Sequence, residues 1–282
     1  MLICTTKKEL REAIAAQRAG GKSVGFVPTM GALHQGHASL FKRARAENEI
    51  FVASVFVNPI QFNNPDDLKN YPRDFEADRR LLDAEGCDIV FHPSVEEMYP
   101  EGEKVEKYSF GSLETVMEGA QRPGHFAGVG VVVGLLFRLV EPTRAYFGEK
   151  DFQQVAVIKE LVRQMGIPTQ IVPCPIKRGE DGLALSSRNA LLTPGNRAKA
   201  PFIYETLKAS LALASRPCKE VKDFVESRIA SCPLMKLEYF EIADPDSLQS
   251  VPDDKPAAGN QGFIVVWMGS VRLIDNIHYG AL

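Results

Sequence analysis

The feature that most constrains how this chain folds is an alternation through its first two-thirds: short apolar, β-branched runs separated by longer stretches of helical character. The runs are VGFVPT (24–29), IFVASVFVN (50–58), DIVFH (88–92), RAYFG (144–148) and TQIVP (169–173). Between them lie GHASLFKRARAEN, RDFEADRRLLDAEG and DFQQVAVIKELVRQMG. In the last of these, Val155, Ile158, Leu161, Val162 and Met165 recur every three or four residues, which lays one apolar stripe against a sheet. Gly166 and Pro168 then stop the helix. Strands that alternate with crossover helices predict an α/β fold with a parallel sheet.

After about residue 177 the alternation stops. RGEDG reads as a loop, helical stretches follow near 196–213 and 217–230, and KLEYFEIAD, GFIVVWMGS and VRLIDN read as three short strands. Met268, Gly269 and Ser270 fit a tight turn between the last two. The expected organisation is a parallel-sheet domain over 1–176 and a smaller C-terminal α+β domain over 177–282. With 45% hydrophobic and 24% charged residues in 282, the chain has ample material for two cores.

Composition also narrows the partners. A formal net charge of -3 offers no general attraction for phosphate backbones, which argues against nucleic acid. The five cysteines stand at unrelated spacings with no CxxC pair and read as reduced packing residues. No apolar run reaches bilayer length, and MLICTTKKELREAIAAQ lacks the order of a signal peptide, so the expectation is a cytoplasmic protein with no membrane partner.

Two fragments mislead. GGKS at 20–23 resembles a phosphate-binding loop, but Ala16 stands where the first glycine is required, and the fragment precedes a strand instead of following one. GVGVVVG at 128–134 lacks dinucleotide-binding spacing; its glycines read as allowing close packing at the start of a helix.

The chemistry-bearing stretches sit where strands give way to helices, the edge at which open α/β sheets bind ligands. PTMGALHQGH (28–37) follows the first run. His34 and His37 are three apart, so a helix starting near Gln35 lets both imidazoles face the space above its N-terminus, where unpaired N–H groups favour an anion such as triphosphate. Gly31 and Gly36 let backbone approach a ligand. Local hydrogen bonding or zinc binding is the alternative for such a histidine pair. FGEKD (147–151) occupies the equivalent place after a later strand: Lys150 offers a movable positive charge, and Asp151 a helix cap or a magnesium ligand. LALSSRN (183–189) reads as a mobile loop whose Ser186, Ser187 and Arg188 suit phosphate oxygens, with helix capping as the alternative. Gln61 and Gln154, beside two strand ends, suit a small polar substrate.

Taken together, PTMGALHQGH, FVNPIQF with YPRDFEAD, RPGHFAGV, YFGEKDFQQ and DGLALSSRN occur in the order seen in the pantothenate synthetase family, which the chain resembles from near residue 24 to about 190, with a weaker echo in RLIDN. The histidine motif alone would indicate only the wider HxGH nucleotidyltransferase superfamily. The resemblance implies a Rossmann-like N-terminal domain, a smaller C-terminal domain acting as a lid, a homodimer, ATP and Mg²⁺, and pantoate and β-alanine as substrates. Carried over by position, Met30, Gly31, Ala32, Leu33, His34, Gln35, Gly36 and His37 would line ATP. Gly148, Glu149, Lys150 and Asp151 would form a second nucleotide-binding segment, and Leu185, Ser186, Ser187 and Arg188 a third. Lys177 falls where the backbone contacts adenine. His37, His34, Lys150, Ser187 and Arg188 would carry catalysis, while Gln61 and Gln154 would bind pantoate, with Gln61 also near β-alanine. The protein ligands of the metal are left open. Two positions depart from the family's commonest pattern: Lys177 replaces an apolar residue, and Gly134 stands where many relatives carry lysine.

The implied reaction is attack of pantoate on the α-phosphorus of ATP, then of β-alanine on the resulting adenylate. A nucleotidyltransferase that makes a phosphoester and a nucleotide sensor without turnover are the competing readings. Paired Gln61 and Gln154 oppose the first; intact His37, Lys150 and Arg188 oppose the second.

Overall fold

The computed structural model describes residues 1–280. Two compact units emerge, one of residues 1–149 with 153–175, the other of residues 150–152 with 176–282.

In the first unit six strands form one parallel sheet: β1 (Leu2–Cys4), β2 (Val24–Thr29), β3 (Ile50–Val55), β4 (Ile89–Phe91), β5 (Arg144–Gly148) and β6 (Gln170–Cys174). Their order is β1-β4-β3-β2-β5-β6. Because side chains alternate along a strand, the buried runs feed two cores at once. Val24, Phe26, Ile50, Val52, Ile89, Phe91, Ala145 and Phe147 share one core with the helices Lys7–Gln17, His125–Val140 and Phe152–Met165. Val27, Phe51, Ala53, Val55, Val90 and Tyr146 share the other with Phe41, Ala44 and Leu82, from the helices Gln35–Glu47 and Phe75–Ala84. The sheet is therefore covered on both faces, as a parallel sheet requires.

Strand β2 is the pivot of this order. The chain leaves it to build β3 on one side and later returns to place β5 on the other, so a topological switch point lies between β2 and β5. The two strands pair only through Gly25–Arg144 and Phe26–Ala145. Alternation explains why pairing stops there. Val24 directs its carbonyl and N–H to Thr143, on the β5 side, while Ser23 and Thr29 accept from Ile50 and Phe56, on the β3 side. By that parity Pro28 faces β5, and proline has no N–H with which to extend the ladder. Beyond Phe26 the two strands no longer pair, and the carboxyl ends of strands at such a switch point are where open α/β sheets bind ligands.

Strand β3 is shorter than its apolar run. It ends at Val55 because Pro59 opens a short 3-10 turn, Pro59–Gln61, which Asn58 caps by accepting the Ile60 N–H. Strand β1 and the helix Lys7–Gln17 arise from a stretch in which no element was anticipated. The helix begins with a capping box in which Thr6 and Glu9 satisfy each other's backbone N–H. The GVGVVVG segment lies inside the helix His125–Val140, and its glycines do allow close packing. A Cβ at Gly128 would lie 2.8 Å from both Gln61 Cα and the Ile60 carbonyl oxygen. One at Gly134 would meet the Tyr108 ring at 3.0 Å.

The second unit contains an antiparallel sheet of β7 (Lys236–Ala243), β8 (Gln261–Met268) and β9 (Val271–His278), in that order. The β8–β9 connection is the two-residue turn Gly269–Ser270, with Gly269 at φ +63°. The helices Phe202–Ser210 and Cys218–Ala230 cover the sheet through Ile203, Leu207, Val221, Val225 and Ile229. All five cysteines are free thiols, four of them buried. Among the described residues no helix is long and apolar enough to cross a membrane.

Candidate active site

The first unit presents the segment Met30–His37 directly at the switch point. Gly31 (φ +80°) and Ala32 (φ +51°) turn the chain through two left-handed positions, a path that a residue with a side chain, such as Ala32, adopts only when held there. The restraint is Asp78, from the helix Phe75–Ala84. Its carboxylate accepts the Ala32 N–H at 3.0 Å and the Leu33 N–H at 2.7 Å. A Cβ at Gly31 would lie 2.8 Å from the same carboxylate, so the glycine is needed for contact as well as conformation. Burial raises the Asp78 pKa above the ordinary aspartate range, and the two backbone N–H groups pull it back only in part.

The helix Gln35–Glu47 starts where the sequence suggested, with His34 as its N-cap. His34 Nδ1 accepts the Gly36 N–H at 3.0 Å, and His37 Nδ1 lies 3.3 Å from the His34 N–H. The two imidazoles are 4.2 Å apart, centroid to centroid. A ring nitrogen that accepts a backbone N–H carries no proton, so in both rings the proton sits on Nε2. Local hydrogen bonding, the competing reading of the pair, is thus present, and it fixes the tautomer that gives each ring an Nε2–H donor. At the positive end of a thirteen-residue helix dipole, these donors make the loop receptive to an anion.

Met30 is fastened to the neighbouring substrate candidate, Gln61, whose Nε2 donates to Met30 Sδ at 3.1 Å. Gln61 is buried, and Asn58 Nδ2 donates to its Oε1 at 3.1 Å. Asn58 in turn accepts from Tyr99 Oη at 2.8 Å and donates to the Gly128 carbonyl. His125 Nδ1 reaches the Gln61 carbonyl at 2.9 Å while Arg122 lies 3.2 Å from its Nε2, an arrangement that requires the neutral Nδ1–H form. Gln154 is half-buried on the helix Phe152–Met165. Its neighbour Gln153 is buried and committed to structure, bonding Leu113, Val116 and Glu118. Gly148 ends β5 and Glu149 begins the next turn, half-buried.

The remaining candidates belong to the second unit. Lys150 is half-buried, and its carbonyl accepts from Asn276 Nδ2 at 3.1 Å; Asp151 is exposed. The segment read as a loop is a built hairpin: Gly179 donates to Leu183, Leu185 donates to Lys177, and Arg178 bridges Ala184. Lys177 is exposed, with its carbonyl already accepting the Leu185 N–H. Ser186 Oγ accepts the Arg188 N–H and so caps the 3-10 turn Ser187–Leu191, as the capping alternative proposed. Leu185, Ser186, Ser187 and Arg188 are all half-buried.

Sequence reasoning assigned no role to Asn58, Asp78, Tyr99, Arg122, His125, Asp275 or Asn276. Four of the motifs that carry the resemblance contain six of them, since FVNPIQF, YPRDFEAD, RPGHFAGV and RLIDN include Asn58, Asp78, Arg122, His125, Asp275 and Asn276. Among the described residues no three His, Cys, Asp or Glu side chains converge as a metal cage.

A doubly wound α/β sheet with an anion-receptive histidine loop at its switch point defines a class of nucleotide-type binding folds. A family model described as pantoate-beta-alanine ligase matches residues 2–278. The pantothenate synthetase of Phocaeicola vulgatus is 54% identical over 281 residues, covering 99% of each chain. That of Porphyromonas gingivalis W83 is 51% identical over 280 residues, again 99% of each. Among solved structures, pantothenate synthetase from Thermus thermophilus superposes with a TM-score of 0.92 at 45% identity, covering 99% of this chain and 100% of that one. Pantoate-beta-alanine ligase from Francisella tularensis, complexed with beta-gamma ATP and beta-alanine, gives 0.81 at 36% identity, covering 99% and 98%. The chain belongs to the pantoate–β-alanine ligase family; it is an enzyme, and its activity is pantoate–β-alanine ligation.

Proposed function

We propose that the enzyme condenses (R)-pantoate with β-alanine in two steps that use ATP. In the first, a pantoate carboxylate oxygen attacks the α-phosphorus, the bond to the β-phosphate bridging oxygen breaks, and pyrophosphate leaves. In the second, the β-alanine amine attacks the acyl carbon of pantoyl adenylate, AMP departs with the bonding electrons, and the nitrogen gives up a proton. A free carboxylate is a poor electrophile; the adenylate supplies a good leaving group.

The observation that carries this reading is the paired imidazole geometry at the helix start, which commits both rings to donating from Nε2. Donors set in advance stabilise the charge that develops on phosphate oxygens without reorganising during the step. His34 and His37 serve the phosphates, with His37 the principal donor, and Met30–His37 line the nucleotide. Gly148–Asp151 and Leu185–Arg188 bind it too, with Lys150, Ser187 and Arg188 neutralising phosphate charge and the Lys177 backbone meeting adenine. Gln61 and Gln154 orient pantoate; Gln61 is suited to this because Met30 and Asn58 fix its amide. The Francisella relative's complex with beta-gamma ATP and beta-alanine supports ATP and β-alanine as substrates here.

Mg²⁺ fits as an ion carried on the triphosphate, where it would spread phosphate charge. The exposed Asp151 carboxylate can add one ligand, in keeping with magnesium's preference for few protein ligands and several waters. The proposal includes a cytoplasmic homodimer in which the C-terminal domain, 177–282, serves as a lid that shields the adenylate from water.

Incubating the enzyme with ATP, pantoate and a panel of amines, and separating the products, tests the reading. AMP, pyrophosphate and pantothenate should appear with β-alanine, and pantoyl adenylate should accumulate when the amine is omitted. Release of ADP, or transfer of the nucleotide into a stable phosphoester, would refute it.

A further inference from the structure

The C-terminal strand β9 holds two of the segments assigned to phosphate binding, and it does so through consecutive residues. Asp275 interrupts a core-facing row, since Val271 and Leu273 pack in the apolar core of the second unit. Its buried carboxylate takes both arms of the Arg178 guanidinium, at 2.6 and 2.9 Å. Arg178 lies at the base of the 177–185 hairpin, 3.6 Å from the ring centre of Tyr204, and also donates to the Gly182 carbonyl. A buried ion pair is seldom worth more to stability than an apolar pair of the same size; what its fork-to-fork geometry adds is direction.

The next residue, Asn276, points to the opposite face of the sheet. Its Nδ2 donates to the Lys150 carbonyl at 3.1 Å, and its Oδ1 accepts from Gln261 Nε2 at 2.7 Å, which fixes the amide's orientation. On the same face Phe263, the β8 residue opposite Asn276, makes an edge contact with Phe152 at 5.6 Å. Residues 150–152 are therefore clamped to one face of β8–β9, and the hairpin that leads to Ser186–Arg188 to the other.

We infer that Asp275 and Asn276 are positioning residues for adenylation, setting Lys150 and the Ser186–Arg188 segment in fixed register with each other. This rests on the phosphate roles proposed above for Lys150 and Arg188. Neither β9 side chain need touch substrate; each acts through the segment it holds.

The test is a cycle of the full-length variants Asn276→Ala, Lys150→Ala and the double substitution, followed by pyrophosphate exchange and by KM for ATP and for pantoate. Arg178→Lys, which keeps the charge and gives up the fork, probes the other face without leaving Asp275 unpaired. Asn276→Ala and Arg178→Lys should each raise KM for ATP or slow exchange by about tenfold, the usual worth of one well-placed hydrogen bond. KM for pantoate should stay within about twofold, and the Asn276→Ala effect should vanish in the Lys150→Ala background, as expected of residues acting through one another. A merely structural role would instead lower kcat in proportion to folded protein and leave both KM values alone. If Lys150→Ala abolishes exchange while Asn276→Ala and Arg178→Lys keep wild-type ATP kinetics, the inference is overturned and the role of Lys150 stands. If Lys150→Ala itself leaves exchange unchanged, the phosphate role of Lys150 falls and the inference falls with it.

Discussion

The Met30–His37 loop and the 177–185 hairpin both belong to the nucleotide site proposed above, yet they reach their shapes by different means. The loop runs from a strand end to a helix start, and one carboxylate, Asp78, holds its left-handed turn by accepting two of its N–H groups. The hairpin depends on side chains, with Arg178 gripped by Asp275, which lies 97 positions away, and stacked on Tyr204. A loop set between a strand and a helix needs only one remote side chain to hold it and has few ways to fail. A hairpin held by distant side chains can be loosened by a single substitution without disturbing the main fold.

That contrast can be challenged directly. The largest effect is expected from His37→Ala, which removes a preset donor: pyrophosphate exchange should slow by about a hundredfold or more, or about 2–4 kcal/mol of transition-state stabilisation. Pantoate affinity, read by calorimetry, should change little. Next comes Asp78→Asn, which turns an NH₂ group toward one of two half-buried N–H donors. The unsatisfied donor should cost about 1–3 kcal/mol of stability, and adenylation should fall with it; an unchanged melting temperature and exchange rate would show that the loop keeps its shape unaided.

In the hairpin, Tyr204→Leu removes the stacked ring and should cost about 0.5–2 kcal/mol. Its signature should be faster proteolysis near Arg178 with an intact first unit, whereas global unfolding would erase the contrast. The smallest effect concerns pH. Burial raises the folded-state pKa of Asp78, so its stabilising contribution is complete below the ordinary aspartate value and is lost as pH rises through the elevated one. Stability curves of wild type and Asp78→Asn should therefore diverge across that window, with the wild type showing the additional fall toward higher pH.

The same contrast explains what the sequence made legible. VGFVPT and RAYFG are strands over the residues expected, and the helix that opens within HQGH starts at Gln35, because short-range periodicity and capping determine them. Residues Leu2–Cys4 form a strand only through pairing with Ile89–Phe91, and three residues carry no pattern of their own. Pro28 is visible in the sequence, but its effect on the β2–β5 ladder depends on which neighbour it faces. Asp78 and Asp275 read as ordinary charged residues because their partners are remote. Ser186 could be read either as a phosphate ligand or as a cap; its Oγ accepts the Arg188 N–H and so caps the turn, which leaves its O–H able to donate.

Gly134, where the family resemblance leads one to expect lysine, lies against Tyr108 so closely that a single added carbon would touch the aromatic ring. The two positions therefore share one volume, and a side chain at 134 requires the half-buried Tyr108 ring to give way by a few tenths of an ångström. A variant with lysine at 134 should accordingly gain stability when a slimmer residue is placed at 108 as well.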